Sequence, residues 1–506
     1  MKHEDLKHSP NRVVAELGIP AEQLTKADII RFITDHSIRM VNFMYPANDN
    51  RLKTLNFVVN SVDYLDSILT YGERVDGSSL FPFIEAGNSD LYVIPRYSTA
   101  FVDPFAEQPT LTMLASFFNK DGKPLEESPE QTLRRACARF KESTGAEFYA
   151  MGELEYYVIA PTDGNFAATD QKGYHESSPF ARFNDFRTEC MWLIAQAGGE
   201  IKYGHSEVGN FTLDGLVYEQ NEIEFLPVEA TRAADHLMLA KWIIRTLAAK
   251  RGLDVTFAPK ITAGKAGSGL HIHFKIVKDG VNLMLGADGC LSDDARCVIA
   301  GILDLAPAIT AMGNKVPTSY LRLVPHQEAP TAVCWGDRNR SVLVRVPLGW
   351  TAEADMSAAA NPAEPPRTGV GRNPDRQTAE LRSGDCSADV YQLIAAMAVA
   401  ARRGMETRDE SLRRADATYV AVNIHDKAQE QKLAALESLP DSCVASAECL
   451  RKCREAFEAL GVFSPRMIDG IIDSLMKYDD ADLRERLNNA TENEKMKVVR
   501  RFWHCG

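Results

Sequence analysis

Between Pro259 and Lys275 the chain reads PKITAGKAGSGLHIHFK, in which a Gly-Ser-Gly turn at 267–269 runs into Leu270-His271-Ile272-His273-Phe274. Side chains two apart on a strand share a face. The pattern therefore commits this segment to a strand with both imidazoles on one side and apolar groups on the other. Glycines let a ligand approach the backbone, and successive N–H groups in such a turn form an anion-binding nest. Taken alone, the same residues are equally a plain glycine turn followed by two histidines satisfied in a core. Three other stretches repeat the alternation with carboxylates: Gly152-Glu153-Leu154-Glu155-Tyr156-Tyr157-Val158, Glu222-Ile223-Glu224-Phe225 and Glu380-Leu381-Arg382. One E-x-E is common on a solvated strand. Several of them beside His-x-His offer the oxygen and imidazole donors that divalent cations take, Mg²⁺ and Mn²⁺ favouring oxygen. Two such cations ~4 Å apart can clamp a phosphoryl group in transfer.

Arginines fill the next segment, with Arg322 in SYLRLVP and Arg338, Arg340 and Arg345 in GDRNRSVLVRVP. Guanidinium matches carboxylate and phosphate oxygens bidentately and stays charged, although an ion-paired surface would also use these residues. A net charge of −13 over 506 residues argues against a general nucleic-acid binder while leaving room for a local basic pocket. From the residues themselves, the expectation is a metal-dependent phosphoryl-transfer enzyme.

The chain divides by pattern. Residues 1–24 form a polar arm with a short helix. Residues 25–118 mix helices at 28–34 and 65–69 with strands at 39–44, 55–59, 91–94 and 100–102, a small α+β domain. A turn- and charge-rich connection at 119–130 opens the remainder, 119–506. There, long helices at 130–143, 185–196 and 232–250 alternate with the carboxylate strands, and the part from 388 onward is nearly all helical. Residues 351–376, rich in Ala, Pro, Gly and Asn, read as a surface loop. Ten cysteines are too few for a disulfide scaffold, and Cys449 and Cys453, four apart without a second pair, read as a helix face. The start, MKHEDLKHSPNRV, has no apolar h-region and no segment approaches an apolar 18-mer, so no membrane association and a cytoplasmic location are expected.

The ordered motifs VDGSSL (75–80), SDLYVIP (89–95), VDPF (102–105), GELEYYV (152–158), YEQNEIEF (218–225), TFAPK (256–260), AGSGLHIH (266–273), LRLVPHQEAP (321–330), DRNRSVLVRVP (337–347) and AELR (379–382) resemble the glutamine synthetase family over most of the chain. The resemblance implies an α+β protein: a β-grasp domain, then a catalytic domain built on a curved antiparallel sheet with surrounding helices. It implies self-association into rings, expected as a dodecamer, with active sites between subunits. The implied reaction joins glutamate and ammonium with ATP through a γ-glutamyl phosphate. Carried over by position, one Mg²⁺ or Mn²⁺ falls to Glu155, Glu207 and Glu222, and the other to Glu153, His271 and Glu380. Arg340, Arg345 and Arg382 would neutralise phosphates, Arg322 would grip the substrate α-carboxylate, and Gly267 would lie against the amino acid. Asp76 of an adjacent subunit, Tyr174 and the flap residue Glu328 would handle the ammonium and its proton, and His273 would lie near the nucleotide.

This sequence departs from the family pattern at several points. Ala266 stands where the family has an asparagine on the amino-acid substrate, and the flap reads PHQE. Several extra residues separate Glu207 from Glu222, and Lys275 replaces a small polar residue near the nucleotide. Pro227 occupies the place of an adenine-stacking aromatic, for which Phe225 on the same strand face is the expected substitute. Two other functions remain open: a γ-glutamyl ligase for an amine or polyamine, and a non-catalytic ring-forming homologue.

Overall fold

The structure, a computed structural model, describes residues 6–84, 87, 89–262, 264–324, 329–367, 372–424, 430–488 and 490–506. Helix α1 (Arg12–Leu17) starts at Asn11, whose side chain accepts from Val13 N, and stops at Gly18 in the left-handed region with φ 64°. Helix α2 (Lys26–Asp35) opens on a reciprocal Thr25–Asp28 capping box. Strands β1 (Met40–Pro46) and β2 (Leu52–Val58), helix α3 (Val62–Tyr71), and strands β3 (Glu73–Asp76), β4 (Asp90–Pro95), β5 (Phe101–Val102) and β6 (Thr110–Phe118) complete the N-terminal domain. Its six-stranded sheet runs β2-β1-β6-β4-β3, with β5 on β6. Parallel pairing of β1 with β6 between antiparallel neighbours is the signature of a β-grasp. The sequence pattern gave no sign of β6. Eight of its nine residues are buried, so it lacks the alternation that marks a half-exposed strand.

Helix α4 (Pro129–Thr144) leads into β7 (Glu147–Pro161), a strand of 15 residues. Then come α5 (Asn184–Gln196), β8 (Ile201–Leu213), β9 (Leu216–Phe225), β10 (Val228–Glu229), α6 (Ala230–Lys250), β11 (Asp254–Thr256), β12 (Leu270–Lys278) and β13 (Val281–Asn282). Helix α7 (Asp293–Gly313) precedes the short strands β14 (Trp335–Asp337), β15 (Val344–Val346) and β16 (Ala379–Leu381), and the chain goes on through α8 (Val390–Glu406), α9 (Cys443–Glu458) and α10 (Pro465–Met476). The ten-stranded sheet is ordered β14-β15-β16-β12-β7-β9-β8, with β10 and β11 on β7 and β13 on β12. Every β7 pairing is antiparallel.

The apolar side of this sheet rests on helices α4, α6, α7 and α8 in one continuous core. Contact is close enough to fix residue size: a Cβ at Gly152 of β7 would come within 2.6 Å of Leu237 Cδ2 on α6. Helix α7 is the exception to the expectation of no apolar 18-mer. By length and hydropathy it could cross a membrane, but 89% of its apolar window is buried, and it serves as the central core helix. Apolar all round is what a helix surrounded by α8, α9 and α10 requires. The described residues of the stretch at 351–376 hold a short helix at Met356–Ala360 and a 3₁₀ turn at Pro374–Arg376 and are otherwise mostly exposed and irregular. The two domains are joined through Arg96, just past β4. Its guanidinium meets Asp235 of α6 with two bonds of 2.7 Å, and Tyr391 of α8 donates to the same carboxylate at 2.6 Å.

Candidate active site

Strand register collects the charged residues. Across the polar face, His271, Glu153 and Glu224 form one row over β12, β7 and β9. Glu155, Glu222 and His205 form the next over β7, β9 and β8. Arg345, Glu380 and His273 form a third over β15, β16 and β12. Residues directly opposite in a ladder share a face, so three rows from six strands face one cleft of about 1100 Å³. Glu207 arrives by another device. Ser206 pairs with Asn221 but Asn210 with Glu219, so residues 207–209 bulge out of β8, and a bulge re-aims a side chain. The extra residues between Glu207 and Glu222 are taken up by a β8–β9 hairpin closed at Asp214-Gly215, both at positive φ.

Two groups of ligand atoms gather within 4.8 Å: Glu153, His273 and Glu380, and His205, Glu207 and Glu222. His271 lies within the first group as well, its Nδ1 3.0 Å from Glu153 Oε2 and 3.2 Å from Glu380 Oε1. His273 Nε2 is 2.8 Å from Glu153 Oε1, and its Nδ1 is 3.0 Å from Thr378 Oγ1. Glu155, opposite Glu222 in the ladder, is not among those clustered atoms: its Oε2 accepts from Gly269 N at 2.8 Å and Gln220 Nε2 at 2.9 Å.

Protonation follows the crowding. Burial opposes the charge on His271, yet the carboxylates of Glu153 and Glu380 lift it to about 9. Burial and the neighbouring Glu153 both push Glu380 upward, but Arg382 and the imidazoles outweigh them and hold it at about 2. Glu222 goes the other way: burial, then the charges of Glu153, Glu155, Glu207 and Glu224, raise it well above the usual glutamate range. His205, lacking so strong a partner, is lowered by burial.

Guanidinium groups close one side. Arg345 Nη1 reaches Glu380 Oε2 at 3.1 Å, Arg382 Nε reaches Glu380 Oε1 at 3.0 Å, and Arg382 also donates to the Arg340 carbonyl. Arg322 is buried, donating to the carbonyls of Ser383 (3.0 Å) and Arg382 (3.2 Å), with Nη2 3.2 Å from His271 Nε2. Gly267 lies on the cleft wall, and a Cβ there would collide with the Pro259 carbonyl. Ala266 is fixed through its backbone, N donating to Gln171 Oε1 at 2.8 Å and O accepting from Tyr157 at 2.9 Å. Tyr174, half exposed, also lines the cleft.

Two expected residues lie elsewhere. Phe225 is 1% exposed and packs beneath the sheet against His236, ring centroids 6.2 Å apart, so the expectation that it contacts nucleotide is corrected. It follows Glu224 on β9, and adjacent residues face opposite sides. Aromatic groups that do line the cleft, besides Tyr174, are Tyr203 and Trp350, the latter stacked under Arg376 at 4.7 Å. Asp76 ends β3 on the N-terminal domain and is absent from the cleft wall. The hydroxyls of Ser79 and Ser78 pull its carboxyl down to about 2. Glu328 falls outside the described residues. The residue that sequence reasoning missed is His205. Its signal was the H-x-E of His205-Ser206-Glu207, but its place opposite Glu222 depends on hairpin register.

Fold and site together define a two-domain enzyme of the carboxylate–imidazole–arginine type, built on a β-grasp and a curved antiparallel sheet. Residues 37–120 match the family described as "Glutamine synthetase, beta-Grasp domain", and residues 126–495 match "Glutamine synthetase, catalytic domain". A glutamine synthetase of Thermus thermophilus is 29% identical over 452 residues, covering 86% of this chain and 92% of its own length. A cryo-EM structure of Plasmodium falciparum glutamine synthetase superposes with a TM-score of 0.74 at 18% identity, over 91% of this chain and 97% of that one. A structure described as a GmaS/ADP complex shares the fold, with a TM-score of 0.69 at 19% identity over 93% and 99% of the two chains. The chain belongs to the glutamine synthetase family of ligases, as a divergent member.

Proposed function

We propose that this enzyme joins ammonia to the γ-carboxylate of glutamate with ATP, giving glutamine, ADP and phosphate. The observation that carries this reading is the meeting of two carboxylate–imidazole groups with Arg340, Arg345 and Arg382 in one cleft. The donors fit hard or borderline divalent cations: buried glutamates and imidazoles within 4.8 Å of one another, with Glu222 crowded by like charges. Glu153, His271 and Glu380 would hold one Mg²⁺ or Mn²⁺, and Glu155, Glu207 and Glu222 the other. Bound there, the cations neutralise the carboxylate face and screen the charge of phosphate oxygens.

In the first step a glutamate γ-oxygen attacks the γ-phosphorus of ATP. The P–O bond to ADP breaks, leaving γ-glutamyl phosphate. Arg345 and Arg382, already aligned on Glu380, would swing little to meet the transferring oxygens, with Arg340 beside them. Arg322 and the Gly267 backbone hold the amino acid, and His273 faces the nucleotide side. In the second step ammonia attacks the acyl carbon and phosphate leaves. Ammonium must first lose a proton. Asp76, ionised across the working pH range, would attract it from a neighbouring subunit of a ring, with Tyr174 and Glu328 completing the pocket.

The test is phosphate release from ATP with glutamate and ammonium, each omitted in turn, in wild type and in His271→Ala. Release that needs both substrates and collapses in His271→Ala is expected. Methylamine and putrescine in place of ammonium form the control arm. Turnover with either but not with ammonium would overturn ammonia as the substrate, and no nucleotide turnover with any amine would overturn a catalytic role.

A further inference from the structure

The carry-over from the family supplies only carboxylates around Glu207 and Glu222. The fold places a nitrogen beside them. His205 stands directly opposite Glu222 in the β8–β9 ladder, its Nε2 3.3 Å from Glu222 Oε1. Its other nitrogen, Nδ1, lies 3.0 Å from the carbonyl of Ser206. A carbonyl can only accept, so Nδ1 carries the proton and Nε2 is left as a lone pair. That lone pair therefore meets a carboxylate oxygen, acceptor against acceptor. Without metal a proton on the raised Glu222 carboxyl fills that gap; a cation can take its place, in the arrangement of a metal-binding imidazole whose far N–H is anchored to a backbone carbonyl.

The ring cannot easily turn away. His175 lies against it with centroids 4.3 Å apart, Tyr174 at 5.4 Å and Tyr203 at 5.9 Å. A neighbouring carboxylate adds negative charge to this part of the cleft. Glu224, next on that face of β9 and 2% exposed, pairs one oxygen with Lys202 at 2.9 Å. Among the described residues its Oε2 has no hydrogen-bond partner.

We propose that Nε2 of His205 is a nitrogen donor to the cation shared with Glu207 and Glu222, and that it biases this position towards Mn²⁺ or Co²⁺ over Mg²⁺. Imidazole raises affinity for first-row transition ions far more than for Mg²⁺, which prefers oxygen and water. The proposal rests on the metal-dependent reading above, so its test uses metal alone, without nucleotide or turnover. Wild type and His205→Asn, which keeps a donor for the Ser206 carbonyl but removes Nε2, are titrated calorimetrically with Mn²⁺ and with Mg²⁺, and the Co²⁺ forms are compared by visible absorption. For His205→Asn the expected result is a loss of Mn²⁺ affinity at one site of about 10- to 100-fold. Mg²⁺ affinity should change much less, and the Co²⁺ spectrum should shift.

Equal loss for both metals, or no loss for either, with an unchanged Co²⁺ spectrum, would overturn the role of His205 while leaving the ligase reading intact. Absence of any Mn²⁺ binding by wild type would overturn both. Should His205→Asn fail to fold, pulsed EPR of Mn²⁺-loaded wild type and Glu207→Gln decides. Loss of nitrogen coupling from one Mn²⁺ population in Glu207→Gln supports the proposal, and unchanged nitrogen coupling refutes it.

Discussion

Replacing Arg96 with Met should loosen the N-terminal domain from the catalytic one. The Arg96 and Asp235 side chains are 11% and 7% exposed, and two bonds of 2.7 Å join them across the domain boundary. In Arg96→Met, Asp235 stays buried with the Tyr391 hydroxyl as its remaining side-chain donor. Removing one partner of a buried pair costs about 3–5 kcal/mol, because the other charge is left uncompensated. Unfolding entropy is about 2.1 cal/mol/K per residue. Over 506 residues that amounts to about 1 kcal/mol/K, so Tm should fall by roughly 3–5 °C. Replacing both charges with apolar groups is often neutral, so Arg96→Met with Asp235→Leu should recover most of the loss. Differential scanning calorimetry of the two single variants and the double variant measures this. Limited proteolysis in the exposed connection at 119–124 reads domain undocking separately. A Tm within about 1 °C of wild type for Arg96→Met, or a double variant as unstable as the sum of the singles, would refute the reasoning.

Two further outcomes concern charge. Because the Glu222 carboxyl is raised in the folded protein above its ordinary 4.5, its ionisation disfavours the fold as pH rises from that value. In chelator, Glu222→Gln should therefore melt higher than wild type at neutral pH, with the gap closing towards pH 4.5, and should lose stabilisation by added Mn²⁺; thermal melts across pH check both. Lys241, buried and donating to the Cys386 carbonyl at 3.1 Å, is lowered by burial to about 8 from 10.5. Between those values the unfolded chain holds a proton that the folded one lacks, so this group makes stability rise with pH, and Lys241→Met should flatten that rise in denaturant midpoints measured from pH 7.5 to 10.5.

What the sequence disclosed and what it concealed have a common cause. Strands β7, β9 and β12 were legible because each has one wet and one dry face, and the alternation of Glu153, Glu155, Glu222, Glu224, His271 and His273 records that difference. Strand β6 is dry on both faces and left no such record. Phe225 was misassigned because it was matched to Pro227, which lies beyond the strand end, when its neighbour Glu224 already fixed the opposite face. His205 became a site residue only through the β8 bulge, which depends on how two strands settle against each other rather than on either alone. The remoteness of Asp76 from the cleft reflects chain connectivity: it closes β3, the edge strand of the other sheet.

Strand β7 holds its two glutamates by counting. Four other strands take their alignment from it, and around Glu153 and Glu155 its side chains alternate between cleft and core. Losing or gaining a single codon between Glu147 and Glu153 would turn Glu153 and Glu155 into the helices beneath and present Leu154 to solvent, a change no rotamer can repair. Within this segment the gene can drift by substitution but not by length. The exposed stretch around 351–367 has no such constraint. Lineages descended from this protein should therefore differ in length there and keep the residue count of β7 fixed.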